Sequence, residues 1–280
     1  MYATGHWSAQ EYIAEYMRAC AGVLGLALSG CATLPDGHGW GENATIAPGW
    51  SQVGTSAVDA LASPRFWGPL AAAAVFQIDG WDRKVSTWAR SNTPVFGSEQ
   101  NAAKWSDRLR SASAYAYIAS VLATPSADDP KEWVLDKARG VLVGGAAIAA
   151  TDQECALLKN AAARERPNGQ DTQSMPSSHT SRSAVLTELA QRNVDSLNVS
   201  PATRVVLDLG LNVLTYGTAW ARVEAGFHFP SDTLVGMSIG NVNGAFFDGA
   251  FMGLAPQASR LSYAIAPVPG GAALQFRYDF

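Results

Sequence analysis

The chain has 280 residues, 48% of them hydrophobic and 16% charged, with a formal net charge of −4. That apolar content supports a large core and excludes a disordered chain, and the length allows one or two domains. A negative balance with no basic stripe excludes a nucleic-acid partner.

In chain order, four segments are expected. Residues 1–30 hold an upstream segment and an export signal, 31–55 a tether, 56–255 a helical domain, and 256–280 a hairpin. Met17-Arg18 is followed by a short apolar run over 19–28 and then Ser29-Gly30-Cys31. A basic start, a short apolar core and small residues before a break read as an export signal. Glu11 and Glu15 make 1–16 unlike the basic end of a signal, so translation is expected to start at Met17. Leu28-Ser29-Gly30-Cys31 resembles the lipobox of bacterial lipoproteins, which implies lipidation of Cys31. The run is too short to span a bilayer, so the membrane is expected as a partner through the lipid anchor only. By the same resemblance, Ala32 after the cysteine implies a periplasm-facing lipoprotein of a Gram-negative outer membrane. Of three cysteines, Cys155 would then be left without a partner, as a small core residue.

Residues 33–55 are rich in Gly, Pro, Asn and Ser and read as the tether. Residues 57–76 are apolar with excess alanine. Trp81, Val85 and Trp88 recur at helical spacing and read as core packing. Asn92-Thr93-Pro94 breaks that run. Over 102–123 a helix would turn Trp105, Leu109, Tyr115 and Ile118 to one side. Asp128-Asp129-Pro130 caps a long helical segment over 131–166, in which Gly140, Gly144 and Gly145 permit either close helix contacts or a break. The apolar stretches 141–150 and 233–254 read as buried helices of a soluble bundle. At the C-terminus 261–266 and 272–280 alternate around a turn-rich 267–271, a hairpin signal. The fold class is thus an all-α bundle with a small C-terminal hairpin.

The chemistry concentrates between 159 and 232. Lys159 lies in an Ala/Leu-rich run of high helix propensity, and residues seven apart on a helix differ by only about 20° in direction. Lys159 and Arg166 therefore share a face, with Pro167 placing the helix stop at Arg166 and Arg164 off that face as a surface charge. Pro176-Ser177-Ser178-His179 opens a helix whose first amides have no internal partner and attract an anion. Arg222 ends an apolar run, Gly226 allows a turn, and Pro230 starts a helix with Asp232 in its first turn. There the carboxylate can reach back to the His228 ring and set its tautomer. The same His and Asp residues have a spacing that a metal could use, but the three cations beside them oppose a metal ion.

K-x6-R-P, P-S-x-H and R-x5-H-x3-D, in this order, resemble the type 2 phosphatidic acid phosphatase family, which shares its fold with bacterial acid phosphatases and vanadium haloperoxidases. Ser178 stands where glycine is usual, and Ala221 where serine often precedes the arginine. The resemblance implies that His228 attacks phosphorus and becomes phosphohistidine, that Asp232 orients it, and that His179 is the general acid and base. It further implies that Lys159, Arg166, Arg222, Ser177 and the backbone of Ser178 hold the non-bridging oxygens. The implied partner is a phosphate ester, lipid phosphates and polyprenyl diphosphate included, and no cofactor is implied. Vanadate would inhibit such a site. On the same fold it could instead be the cofactor of a haloperoxidase, with His228 as its ligand. A non-catalytic anion-binding envelope lipoprotein is the reading from another class.

Overall fold

The computed structural model describes residues 33–34, 37–254 and the strands Leu261–Val268 and Gly271–Tyr278. The readings at Met17 and Cys31 lie outside the described residues. Among the described residues eight α-helices follow one another: α1 (Trp50–Ala62), α2 (Pro64–Val75), α3 (Trp81–Asn92), α4 (Glu99–Ala123), α5 (Pro130–Ala162), α6 (Ser178–Asp195), α7 (Pro201–Glu224) and α8 (Pro230–Phe251), with a 3-10 turn at Ile78–Gly80. The strands β1 (Leu261–Val268) and β2 (Gly271–Tyr278) pair antiparallel from Leu261↔Tyr278 to Val268↔Gly271, as the alternation predicts.

Local chemistry explains the boundaries. Ser63 accepts from the Arg65 amide and Pro64 occupies the first turn, so the run expected over 57–76 is two helices. Asp129 accepts from the amides of Lys131 and Glu132 and opens α5. That helix runs through its glycines without a break. A Cβ on Gly140 would lie 2.3 Å from the Trp40 ring, and one on Gly144 would lie 2.0 Å from the Tyr117 hydroxyl. Close contact is therefore what these glycines serve.

Helices α6 and α8 form the centre. The first packs against α4, α5, α7 and α8, the second also against α1, α2 and α5. They approach closely because Gly236, Gly240 and Gly244 recur every four residues on α8. A Cβ on Gly236 would sit 2.6 Å from the Ser177 carbonyl oxygen, and one on Gly240 2.3 Å from that of Ser181. This contact ties the start of α6 to the start of α8.

The interior is unusually polar. Ser113 and Ser183 share a hydroxyl contact of 2.7 Å, as do Thr187 and Thr215. Deeper, Glu188 pairs with Arg65 (2.8 Å) and Arg192 (3.0 Å), and Arg192 reaches Asp248 (3.3 Å). The exterior, by contrast, is apolar over long stretches, with Leu142 71%, Val213 64% and Ile118 53% exposed.

Several expectations are corrected by this distribution. On α4 it is Ala102, Ser106, Ser113, Tyr117 and Ser120 that face inward, while Trp105, Tyr115 and Ile118 face outward. Trp81 and Trp88 are half exposed rather than core. The 141–150 stretch belongs to a 33-residue helix whose apolar window is only 28% buried, and by length and composition this helix could cross a membrane. The buried reading holds for α8 alone of the two stretches. Nor are residues 37–55, the described part of the expected tether beyond 33–34, a free tether. Trp40 is 1% exposed, donates from Nε1 to Asn193 (2.8 Å) and lies under the Lys137 ammonium, and α1 already starts at Trp50.

Candidate active site

Four segments meet at one end of the bundle: the C-terminus of α5 with the turn after it, the N-terminus of α6, the C-terminus of α7, and the N-terminus of α8. Helix α5 stops at Ala162, with Ala163 in the left-handed region (φ 43°). The shared-helix argument for Lys159 and Arg166 is therefore corrected, because Arg166 lies in the turn. That turn still returns it to Lys159, whose pKa it lowers. Lys159 Nζ donates to the Gln173 carbonyl (2.6 Å). Arg166 donates from Nε to Asp171 (2.6 Å) and from Nη1 to the Phe227 carbonyl (3.3 Å). Arg222, 8% exposed, stacks on the Phe227 ring at 4.0 Å, with Arg166 at 5.6 Å from the same ring.

The three cations repel one another; Arg166 is paired with Asp171, whereas Lys159 and Arg222 make no ion pair among the described residues. Burial first and then Arg166 lower the Lys159 ammonium to about 8, and burial with Arg166 lowers the Arg222 guanidinium to about 10. Arg222 Nε is buried with no protein hydrogen-bond partner. A cluster of buried, under-neutralised donors is stabilised by an anion with several acceptor oxygens.

His228 is 2% exposed and lies against this cluster. Burial, then Arg222, Lys159 and Arg166, push its pKa far below the ordinary imidazole value, so the ring is neutral. Its Nδ1 lies 2.5 Å from the Ser174 carbonyl oxygen. A carbonyl only accepts, so Nδ1 carries the proton and Nε2 keeps a lone pair. That is the nitrogen a nucleophile needs.

The tautomer is set by a residue the sequence reading did not single out. Asp232 was expected to hold the His228 ring; instead its Oδ2 accepts from Ser174 Oγ (2.6 Å) and the Phe229 amide (2.8 Å), and its Oδ1 from Arg164 (2.6 Å). Its effect on His228 passes through Ser174. Arg164 is corrected from a surface charge to a bridge: it also donates to Asp82 (2.7 Å) and Ser231 (2.9 Å). Because α5 ends four residues before Arg166, Arg164 turns inward. Asp82, which also accepts from the Ser231 amide (2.9 Å), comes from α3 and had no local signal.

His179 stands in the first turn of α6, as expected. Its Nε2 lies 2.9 Å from Asp107 Oδ1 of α4, and Arg222 acts on its pKa as it does on that of His228. Burial and Arg222 hold the imidazole down to about 4. Ser178 is the first residue of α6, where its amide has no helical carbonyl to meet. Ser177 departs from its expected use. Its amide donates to the Asp232 carbonyl (3.0 Å), and its hydroxyl accepts from Thr180 (3.1 Å). It reads as a strut between α6 and α8. At the rim, Glu224 accepts from the amides of Val95 and Phe96 (both 3.0 Å), and the Phe96 and Trp105 rings lie 6.3 Å apart.

Residues 140–247 match the PAP2 superfamily. The PAP2 match covers Lys159, Arg166, Ser177, Ser178, His179, Arg222, His228 and Asp232, and begins inside α5. Among solved structures, the chain is similar to the crystal structure of a transmembrane PAP2 type phosphatidylglycerolphosphate phosphatase from Bacillus subtilis. Identity is 18% and the TM-score 0.47, over 69% of this chain and 94% of that one. No curated protein matches. The PAP2 match and the site together support a phosphoric ester hydrolase.

Proposed function

We propose that the protein is a metal-independent phosphatase acting through a phosphohistidine on His228. The observation that carries this reading is a buried imidazole whose Nδ1 is held by a carbonyl, leaving Nε2 its lone pair, and on which the charges of Arg222, Lys159 and Arg166 act. An anion-binding site alone needs no nucleophile. Nε2 attacks phosphorus, the ester P–O bond breaks, and the leaving oxygen takes a proton from His179. Water then attacks phosphorus, gives its proton to His179, and the P–N bond breaks to release phosphate and neutral His228. Lys159, Arg166 and Arg222 hold the equatorial oxygens, with the Ser178 amide as a further donor. Such transfers depend mostly on positioning and charge stabilisation.

Lipid phosphates are the substrate class we favour. Trp105 precedes Ser106 and Asp107, which touch Arg222 and His179, so an aromatic pair with Phe96 borders the site. Apolar exterior faces on α4, α5 and α7 agree with membrane association, and a lipid anchor at Cys31 facing the periplasm would hold the site near such substrates.

The test is phosphate release from an aryl phosphate in EDTA. The wild type is expected to remain active, and His228→Ala to lose on the order of a thousandfold. Activity surviving in His228→Ala ends the nucleophile assignment. Phosphatidate against sugar phosphates then decides the substrate class.

A further inference from the structure

Asp107 lies outside the three motifs, about two turns into α4, and outside the matched residues 140–247. Its Oδ1 is nevertheless 2.9 Å from His179 Nε2, with Arg110 of the same helix 3.8 Å from that oxygen. The charged groups acting on His179 are Arg222 of α7, Arg110 and Asp107. Of the other elements packed on α6, α5 brings Lys159, which acts on His228, and Asp152, which is taken by Arg182. From α8 comes Asp232, which is taken by Ser174 and Arg164. Asp107 is thus the one carboxylate on the acid/base imidazole among the described residues.

On the phosphatase reading, we infer that Asp107 is a positioning residue that orients His179 and makes it hold a proton more firmly, so that with the substrate dianion bound the ring can serve as the acid and the site can cleave esters with poor leaving groups. Protonated imidazole carries two N–H groups. Asp107 accepts from Nε2, which leaves Nδ1–H to give its proton to the departing ester oxygen as the P–O bond breaks. The ring is then neutral with its remaining proton on Nε2, and Nδ1 can take the proton of the attacking water. Without the carboxylate, burial and the two arginines act on the ring unopposed, and the acid form, already a minority at neutral pH, is depleted further.

The inference makes leaving-group chemistry the readout. Phenyl phosphate needs its leaving oxygen protonated, whereas 2,4-dinitrophenyl phosphate departs as a stable anion. Asp107→Asn is expected to lower kcat on phenyl phosphate by roughly 10- to 100-fold. The same variant should change kcat on 2,4-dinitrophenyl phosphate by no more than about threefold, since that step needs no acid. The alkaline limb of kcat for phenyl phosphate, which reports the substrate complex, should move down by about one pH unit, and Asp107→Glu should recover most of the loss. Equal losses on both substrates, no loss on either, or an unmoved alkaline limb would overturn the inference. Failure of the phosphatase reading looks different: His228→Ala would stay active, or the wild type would cleave neither ester.

Discussion

Arg164 and Ser174 do most to define the site without touching a phosphate in the proposed reaction. Arg164 joins Asp82, Ser231 and Asp232, two of the three being carboxylates at most 6% exposed. Removing one partner of a buried ion network leaves the others uncompensated. Arg164→Ala is therefore expected to destabilise the fold by about 3 kcal/mol and to lower kcat through Ser174, with chemical denaturation and steady-state kinetics as the checks. Lys159→Met should leave the fold intact and raise KM. Lys159 also sets a pH limit. Its folded pKa, about 8, lies below the ordinary lysine value. Its cation is present below about pH 8 and lost above it, so anion binding should weaken as pH rises through 8. The folding penalty of burying that charge applies below about pH 8 and shrinks as pH rises toward the ordinary value. Sulfate, a dianion throughout, should inhibit competitively with an inhibition constant that rises above pH 8. A constant flat to pH 9 would show that Lys159 does not contact the anion.

At the scale of elements, the decisive packing is α6 on α8. Both carry parts of the site at their N-termini, so their separation sets the distance between the His179 and His228 segments. Gly240 meets backbone atoms of α6, which cannot move aside as a side chain would. Gly240→Ala is expected to cost about 1–3 kcal/mol and to reduce kcat more than it changes KM, as read by thermal unfolding and kinetics. Gly140→Ala, which meets the Trp40 ring at the far end of α5 from Lys159, should cost similar stability but leave the activity of the folded fraction unchanged. A matching loss of kcat in both variants would argue against distance control by α6 and α8. Lys137 belongs to the same scale. Its ammonium donates to the Val121 and Thr124 carbonyls (2.7 and 2.5 Å), closing the C-terminus of α4 under Trp40.

For the whole molecule, the arrangement of polarity matters most. Serine, threonine and paired charges share the centre with an apolar cluster that includes Val185, Leu186 and Leu189, and leucine, valine, tryptophan and tyrosine also cover long outer faces. Apolar patches of this extent are normally covered. Residues 33–280, produced without 1–32, are expected to enter the detergent phase in a Triton X-114 partition. Recovery as an aqueous monomer would show that any membrane association rests on the preceding segment alone.

Much of this was legible in the residues themselves. Helix starts at Asp129-Pro130 and Pro230, the hairpin alternation and the three spaced motifs are local signals, because caps, turn chemistry and short-range spacing act within a few residues. The alternating pattern could not say which side of α4 faces inward, since periodicity marks two faces without naming the covered one. Ser106 and Ser113 face α6 and α7 because small hydroxyl residues allow close approach there. Likewise the residues that support His228 and His179 (Ser174, Arg164, Asp82 and Asp107) were out of reach. Asp82 meets Ser231 across 149 positions and Asp107 meets His179 across 72. The sequence alone singled out the candidate groups for the chemistry. Only the tertiary structure decided which atoms hold them, because hydrogen bonds between distant segments follow from how the helices pack.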